Sequence, residues 1–99
     1  MPAYAIFIRD ETLDQAEMDA YSAQVGPTFK DHPVEILAAY GPHVTLEGNE
    51  VEGVVVAKFP SIEAARAWYD SPAYQQVVRH RFKGARYRAV IVEGLPGSG

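Results

Sequence analysis

At 99 residues and 10.9 kDa, 47% hydrophobic and 22% charged, the chain has room for one globular domain and is neither disordered nor fibrous in composition. No run reaches the ~20 apolar residues of a membrane span, and no basic start with an apolar run and small-residue cleavage site marks a secretory signal. Zero cysteines exclude disulfides, thiolate metal sites and a cysteine nucleophile and suit a cytoplasmic protein, while a net charge of −4 and a pI near 5.2 argue against a general nucleic-acid binder.

Residues 3–9 (Ala-Tyr-Ala-Ile-Phe-Ile-Arg) read as a first strand, stopped by charge at Asp10 and Glu11. A helix follows. Thr12 with Gln15 resembles a capping box, Asp14 and Glu17 suit the positive end of the helix dipole, and Leu13, Ala16, Ala20 and Ala23 make an apolar stripe widened by Tyr21 and Val25. Gly26-Pro27 interrupts this pattern, with Pro27 able to open a further short turn, and His32-Pro33 marks a loop. Residues 34–46 form a long extended stretch with a bulge expected at Gly41-Pro42, because proline cannot donate to a ladder. Residues 47–50 are the turn into a third strand over residues 51–59. Ser61 caps a second helix through Ala64, Ala65, Trp68 and Tyr69, and Ser71 with Pro72 at N1 restarts it. Gly84 is the expected C′ stop, residues 86–93 the last strand, and Gly97-Ser98-Gly99 a tail that resembles a cloning remnant, leaving one domain over residues 1–96.

The order β-α-β-β-α-β with right-handed crossovers predicts an α+β, ferredoxin-like fold: a four-stranded antiparallel sheet with its helices on one face. The other face should then be polar at alternate strand positions, and it is not. Tyr4, Ile6 and Ile8 alternate with Ala5 and Phe7, Val54 and Val56 with Val55, Ala57 and Phe59, and Val90 and Val92 with Ala89 and Ile91. Burying several hundred Å² of such a face, at about 25 cal/mol per Å², is worth on the order of 10 kcal/mol before association costs. A homodimer packing sheet against sheet into a closed α+β barrel is the economical expectation.

The segment Val54-Val55-Val56-Ala57-Lys58-Phe59-Pro60-Ser61, then Ala64-Ala65, Trp68-Tyr69, Ser71-Pro72, Tyr74 and Arg81, resembles a family of small uncharacterised bacterial dimeric α+β barrel proteins, a domain of unknown function. Glu47-Gly48 and the closing Val92-Glu93-Gly94 fit as well, so that the resemblance covers most of residues 3–94. It implies the dimeric barrel and supplies no activity. More distant relatives include cofactor-independent monooxygenases, lactone isomerases, polyketide cyclases and haem-dependent peroxidases. Where the family tends to have Arg-Gly-Gly at the kink of the second strand, this chain has Tyr40-Gly41-Pro42.

Candidate chemistry gathers on few residues. His43, just past Gly41-Pro42, could act as a general base, and Tyr69 could donate to a carbonyl or phenolate. Tyr40, Trp68, Tyr74 and Arg81 are the expected lining of a small cleft between helices and sheet, Arg81 matching the family's arginine and suiting a carboxylate. Each has a plainer role: core packing for the Trp68–Tyr74 segment, a half-exposed imidazole for His43, and a structural ion pair for Arg81. Five of the nine bases fall in residues 79–88, and Arg79, His80 and Lys83 read as a solvated helix end. The three histidines lack metal-ligand spacing and no glycine-rich phosphate loop follows a strand, so no metal, cofactor or nucleic acid is expected. Two functional classes follow: a cofactor-independent enzyme or binder of a small aromatic or carboxylated metabolite, and a non-catalytic dimeric ligand-sensing or structural module.

Overall fold

The apolar residues at the start of the chain form β1 (Ala3–Thr12), three residues longer than the charges at Asp10 and Glu11 suggest. Those carboxylates do not break the strand because each is paired across to the last strand, Asp10 with Arg88 and Glu11 with Arg86. The computed structural model describes residues 1–96; the proposed remnant at 97–99 lies outside the described residues.

Helix α1 (Gln15–Val25) is capped by Asp14, whose Oδ1 accepts from the amides of Ala16 and Glu17 at 3.1 and 3.3 Å. The expected cap, Thr12, is still in the strand, and its hydroxyl donates to Glu52 at 2.6 Å. The expected alanine stripe is likewise not the buried one. Met18 and Tyr21 are buried, whereas Leu13 is 54% exposed and Ala16 and Ala23 face solvent. A stripe of alanines offers little area to bury, so the larger Met18 and Tyr21 set the phase of the helix. Pro27 opens one 3₁₀ turn, Gly26–Phe29, as its position predicts.

The second strand departs most from expectation. β2 (Glu35–Ala39) is five residues long, its register with the third strand slips between Ile36 and Ala38, and the bulge therefore falls at Leu37 instead of Gly41-Pro42. At Tyr40 the backbone turns left-handed, with φ 59°, and residues 41–52 run outside the sheet. Pro42 could not have continued the ladder in any case. β3 (Gly53–Phe59) resumes pairing.

Both serine caps stand as the sequence predicts. Ser61 Oγ accepts from the Ala64 amide at 3.0 Å at the head of α2 (Ile62–Tyr69). Ser71 Oγ accepts from the Tyr74 amide at 3.2 Å and donates to the Trp68 carbonyl at 2.7 Å, joining α2 to α3 (Pro72–Gly84). Gly84 is the last helical residue and has no positive φ, so its glycine is not a C′ stop. It is required by contact: a Cβ there would come within 2.9 Å of Met18 Cγ and Sδ. The Gly84 carbonyl also accepts from the amides of Leu13 and Asp14 at 2.7 and 3.0 Å, which ties the end of α3 to the start of α1.

β4 (Ala85–Glu93) completes a four-stranded antiparallel sheet in the order β2-β3-β1-β4, the ferredoxin-like topology. Ala5, Phe7, Ala57 and Phe59 meet the helices through Met18, Tyr21, Ala65, Trp68, Tyr74 and Val78 in one core. On the other face Ile6 sits between Val56 and Val90, Ile8 opposite Val54, and Tyr4 opposite Val92. Among the described residues no helix covers this apolar row; the segment from His43 to Val51 overhangs its Ile8–Val54 end, and Val90 remains 58% exposed. Among the described residues no helix is long and apolar enough to cross a membrane.

Candidate functional site

Trp68 organises the space between the layers. The restart of the helix at Ser71-Pro72 turns its indole inward, where it stacks on Phe29 at 4.8 Å and packs against Tyr74 at 4.2 Å, Phe59 at 5.7 Å and Phe7 at 6.2 Å between ring centres. The indole nitrogen donates to the hydroxyl of buried Thr28 at 3.0 Å, so the ring is fixed in orientation as well as position.

Beside this cluster lies a cavity of about 290 Å³, at the small end of ligand pockets. Trp68, Phe7 and Phe29 supply apolar wall, and Tyr21, Tyr40, Tyr87 and Arg81 supply polar groups. No aspartate, glutamate or histidine lines it. Among the described residues Arg81 is the only charged group lining it, and it is 3% exposed. Among the described residues no carboxylate pairs with it, and its Nε has no hydrogen-bond partner. What accompanies the guanidinium is aromatic: it sits over the rings of Tyr87 at 4.8 Å, Phe7 at 5.3 Å and Phe82 at 5.4 Å. The structural ion pair open to Arg81 from the sequence is thus not made.

The phenols come in two pairs. Tyr40 and Tyr87 hydroxyls are 2.6 Å apart, and Tyr21 and Tyr74 hydroxyls 2.8 Å apart. Burial pushes the phenols of Tyr21, Tyr40 and Tyr74 above the ordinary tyrosine range. The Arg81 guanidinium opposes that rise at all three, and at Tyr74 it stands second only to burial. Tyr40 is held in place from behind by the Arg9 guanidinium, 4.8 Å from its ring centre, and by Gly53, where a Cβ would lie 2.4 Å from Tyr40 Cδ1.

Of the residues the sequence points to, Tyr40, Trp68 and Arg81 line this cavity together, and Tyr74 stands directly behind Tyr21. Tyr69 and His43 do not join them. Tyr69 lines a separate hollow with Ile62, Arg66 and Ile91. His43 is exposed, its Nε2 2.9 Å from the Val51 carbonyl, and it lines a wide hollow of about 940 Å³ on the open side of the sheet. Because β2 ends at Ala39, His43 and Tyr40 fall on different sides of the molecule. Tyr21 and Tyr87 were not singled out in the sequence. The signal for Tyr87 is its parity: it shares the helix-facing side of β4 with Ala85 and Ile91, alternating with Arg86 and Arg88.

The basic run also resolves into pairs. Arg86 and Arg88 face Glu11 and Asp10, and His80 meets Glu17 at 2.6 Å between α3 and α1 in place of a solvated end. Arg79 and Lys83 are exposed. Among the described residues no three histidine, aspartate or glutamate side chains gather as a metal site.

Fold and cavity together define a ferredoxin-like α+β protein with an aromatic-walled hollow between its two layers and one buried arginine. The chain matches the family "Domain of unknown function (DUF1330)" over residues 2–95 and belongs to it. A protein of unknown function from Rhodopseudomonas palustris is 19% identical with a TM-score of 0.76, over 95% of this chain and 82% of that one. A dimeric ferredoxin-like protein of unknown function from Jannaschia sp. CCS1 is 13% identical with a TM-score of 0.71, over 95% of this chain and all (100%) of that one. SnoaB, a cofactor-independent oxygenase from Streptomyces nogalater, is 12% identical with a TM-score of 0.66, over 95% and 93%. At these identities the likeness is one of fold. No curated protein matches the chain.

Proposed function

We propose that the protein binds, and without a cofactor acts on, a small aromatic or carboxylated molecule held in the hollow between helices and sheet, with the ligand's anionic end at Arg81. The observation that carries this reading is Arg81 itself. Taking a charge out of water costs several kcal/mol unless something compensates it. Three aromatic rings offset part of that cost, at roughly 0.5–2 kcal/mol each. An anion in the cavity would supply the missing partner to Nε. The likeness in fold to a cofactor-independent oxygenase is compatible with chemistry at such a site.

The test is a thermal-shift and calorimetric panel of benzoate and related single-ring acids. A ligand binding only the native state raises the melting temperature with concentration. The expected result is a saturable rise with the wild-type protein that is lost in Arg81→Met and weakened in Arg81→Lys, both checked for folding by circular dichroism. If no acid in the panel shifts the wild-type melting temperature or gives heat of binding, the reading is wrong and the non-catalytic structural module takes its place.

A homodimer through the open sheet face belongs to the same proposal. It is supported by the uncovered row Ile6, Ile8, Val54, Val56, Val90 and Val92, and by the dimeric ferredoxin-like neighbour from Jannaschia sp. CCS1. Val44 and Leu46, 82% and 88% exposed on the segment that overhangs this face, extend the apolar surface.

A further inference from the structure

Tyr40 reaches across the sheet from its edge. Arg9 pairs with Gly53 on one side and with Tyr87 on the other, so these residues stand in one row across β3, β1 and β4. Tyr40 follows the end of β2, the edge strand beside β3, and its amide donates to the Val54 carbonyl at 2.9 Å. From there its ring lies along the row against Gly53, with the Arg9 guanidinium 4.8 Å from the ring centre, until its hydroxyl meets that of Tyr87 at 2.6 Å. The adjoining rows, Val55 with Phe7 and then Ala57, floor the cavity. The Tyr40–Tyr87 pair is therefore a bar across one end of it.

The lining also shows where the cavity meets water. Ala57, Trp68 and Arg81 are buried, whereas Ser22 of α1, Ile36 and Ala39 of β2, and Tyr40 are exposed. The mouth is thus the gap between α1 and β2, and Tyr40 forms one side of it. What holds that side is slight. Tyr40 has a left-handed backbone, with φ 59°, which a bulky residue keeps only when its surroundings enforce it. Gly41-Pro42 follows directly, and residues 41–52 carry no strand pairing. Gly53 is the seat: a Cβ there would lie 2.4 Å from Tyr40 Cδ1, so the ring closes only because position 53 has no side chain. The backbone strain offsets part of what the hydroxyl bond and the cation–π contact contribute. That narrows the gap between the closed arrangement and one with the ring turned out.

We propose that Tyr40 is a latch on the cavity: closed while its hydroxyl is bonded to Tyr87, open when its ring turns off Gly53, with ligand entering and leaving only through the open form. This regulates the site read above and rests on that reading. Tyr40 and Tyr87 are gating residues, and affinity is set at Arg81 and the aromatic walls. Such a latch has a kinetic signature. Because the same bond closes the free and the bound protein, association and dissociation both scale with the open fraction, and Kd, their ratio, does not. Loss of one net hydrogen bond shifts such a balance by about two- to tenfold.

The experiment follows benzoate binding to the full chain by the fluorescence of Trp68, the only tryptophan, which walls the cavity. Calorimetry gives Kd, and acrylamide quenching of Trp68 is measured in the ligand-free protein. Tyr40→Phe and Tyr87→Phe keep the rings, and with them the contacts of Arg9 and Arg81, but remove the tie. Each is expected to raise the association and dissociation rates together by about two- to tenfold, to leave Kd unchanged and to raise quenching. The double variant should go no further than either one, since both break the same bond. Tyr4→Phe, on the open face of the sheet, should leave rates and quenching as they are.

Rates unchanged in both Phe variants, or a change in Kd carried by dissociation alone, overturns the latch and leaves the cavity reading standing. The hydroxyls would then be plain wall or ligand contacts. A matching rise in Tyr4→Phe would mean a general loosening and likewise overturns it. If benzoate does not bind the wild-type protein, the cavity reading has failed and quenching alone decides the latch: a rise in both Phe variants keeps it, and no rise ends it.

Discussion

The indole nitrogen of Trp68 donates to Thr28 Oγ1 at 3.0 Å, and the Thr28 hydroxyl in turn donates to the carbonyl of Val25. A side chain on the 3₁₀ turn after α1 thus aims the largest ring of the core, which also walls the cavity. Both residues are buried, so Thr28→Val would leave the indole N–H without a partner at a cost of about 1–3 kcal/mol. Thr28→Ser keeps the hydroxyl and should recover most of that loss. Urea unfolding of the three proteins measures it; a Thr28→Val protein as stable as wild type would show that the bond contributes nothing.

Gly84→Ala has an expected sign opposite to helix propensity. In an unencumbered helix interior alanine is favoured over glycine by roughly 0.5–1 kcal/mol. Here the added Cβ would lie 2.9 Å from Met18 Cγ and Sδ and 3.1 Å from the Met18 backbone nitrogen, where α1 and α3 are also joined by hydrogen bonds to the Gly84 carbonyl. Overpacking of this kind typically costs about 1–3 kcal/mol. Chemical unfolding should therefore show Gly84→Ala to be the less stable protein, and a gain in stability would mean that the helices part without penalty.

Gly53→Ala should act through Tyr40. The Cβ would overlap the Tyr40 ring, which must then leave both the Tyr87 hydroxyl and the Arg9 guanidinium. A double-mutant cycle with Tyr40→Ala isolates the coupling. The expectation is that Gly53→Ala destabilises the wild-type background by about 1–3 kcal/mol and the Tyr40→Ala background by much less. Equal losses in both would place the cost elsewhere than at Tyr40.

Alkaline titration should divide the tyrosines. Tyr21, Tyr40 and Tyr74 have folded-state values raised above 10.0, chiefly by burial. For an acid the raised value means that the fold favours the neutral form. The associated stability is whole below the unfolded tyrosine value, about 10, and is lost as pH climbs above it. Phenolate absorbance should show these three ionising only as the protein unfolds at high pH, and all tyrosines ionising near the ordinary value in denaturant. Complete titration near pH 10 with native circular dichroism intact would contradict it.

Val56→Glu tests self-association. Val56 lies opposite Ile6 at the middle of the uncovered face, and a carboxylate there would be trapped against apolar surface in a sheet-to-sheet dimer. Sedimentation should give a dimer for the wild-type chain and a folded monomer for the variant. A wild-type chain that sediments as a monomer would end the dimer proposal, and a variant that stays dimeric would move the interface to another surface.

What could be read along the chain is what depends on neighbours in sequence. The serine caps at Ser61 and Ser71, the element order, and the two-sided apolar character of β1, β3 and β4 are local patterns, so they are legible before folding. Misread were the places where a distant partner intervenes. Asp10 and Glu11 extend β1 because Arg88 and Arg86 neutralise them, and Gly84 is a contact with Met18 and not a helix stop. The cavity belongs to that second class. Tyr40, Trp68, Tyr74 and Arg81 are legible as candidates in the sequence, but Tyr21 and Tyr87 join them only when α1 and β4 converge on the end of β2. The left-handed backbone of Tyr40 itself parts it from His43, a backbone event that no composition announces. Residue types and spacing decide which segments become helix or strand, since those energies act over three or four positions. Which hydroxyls share a proton and which charge is left without a partner are decided by tertiary packing, because they depend on distances between residues far apart in the chain.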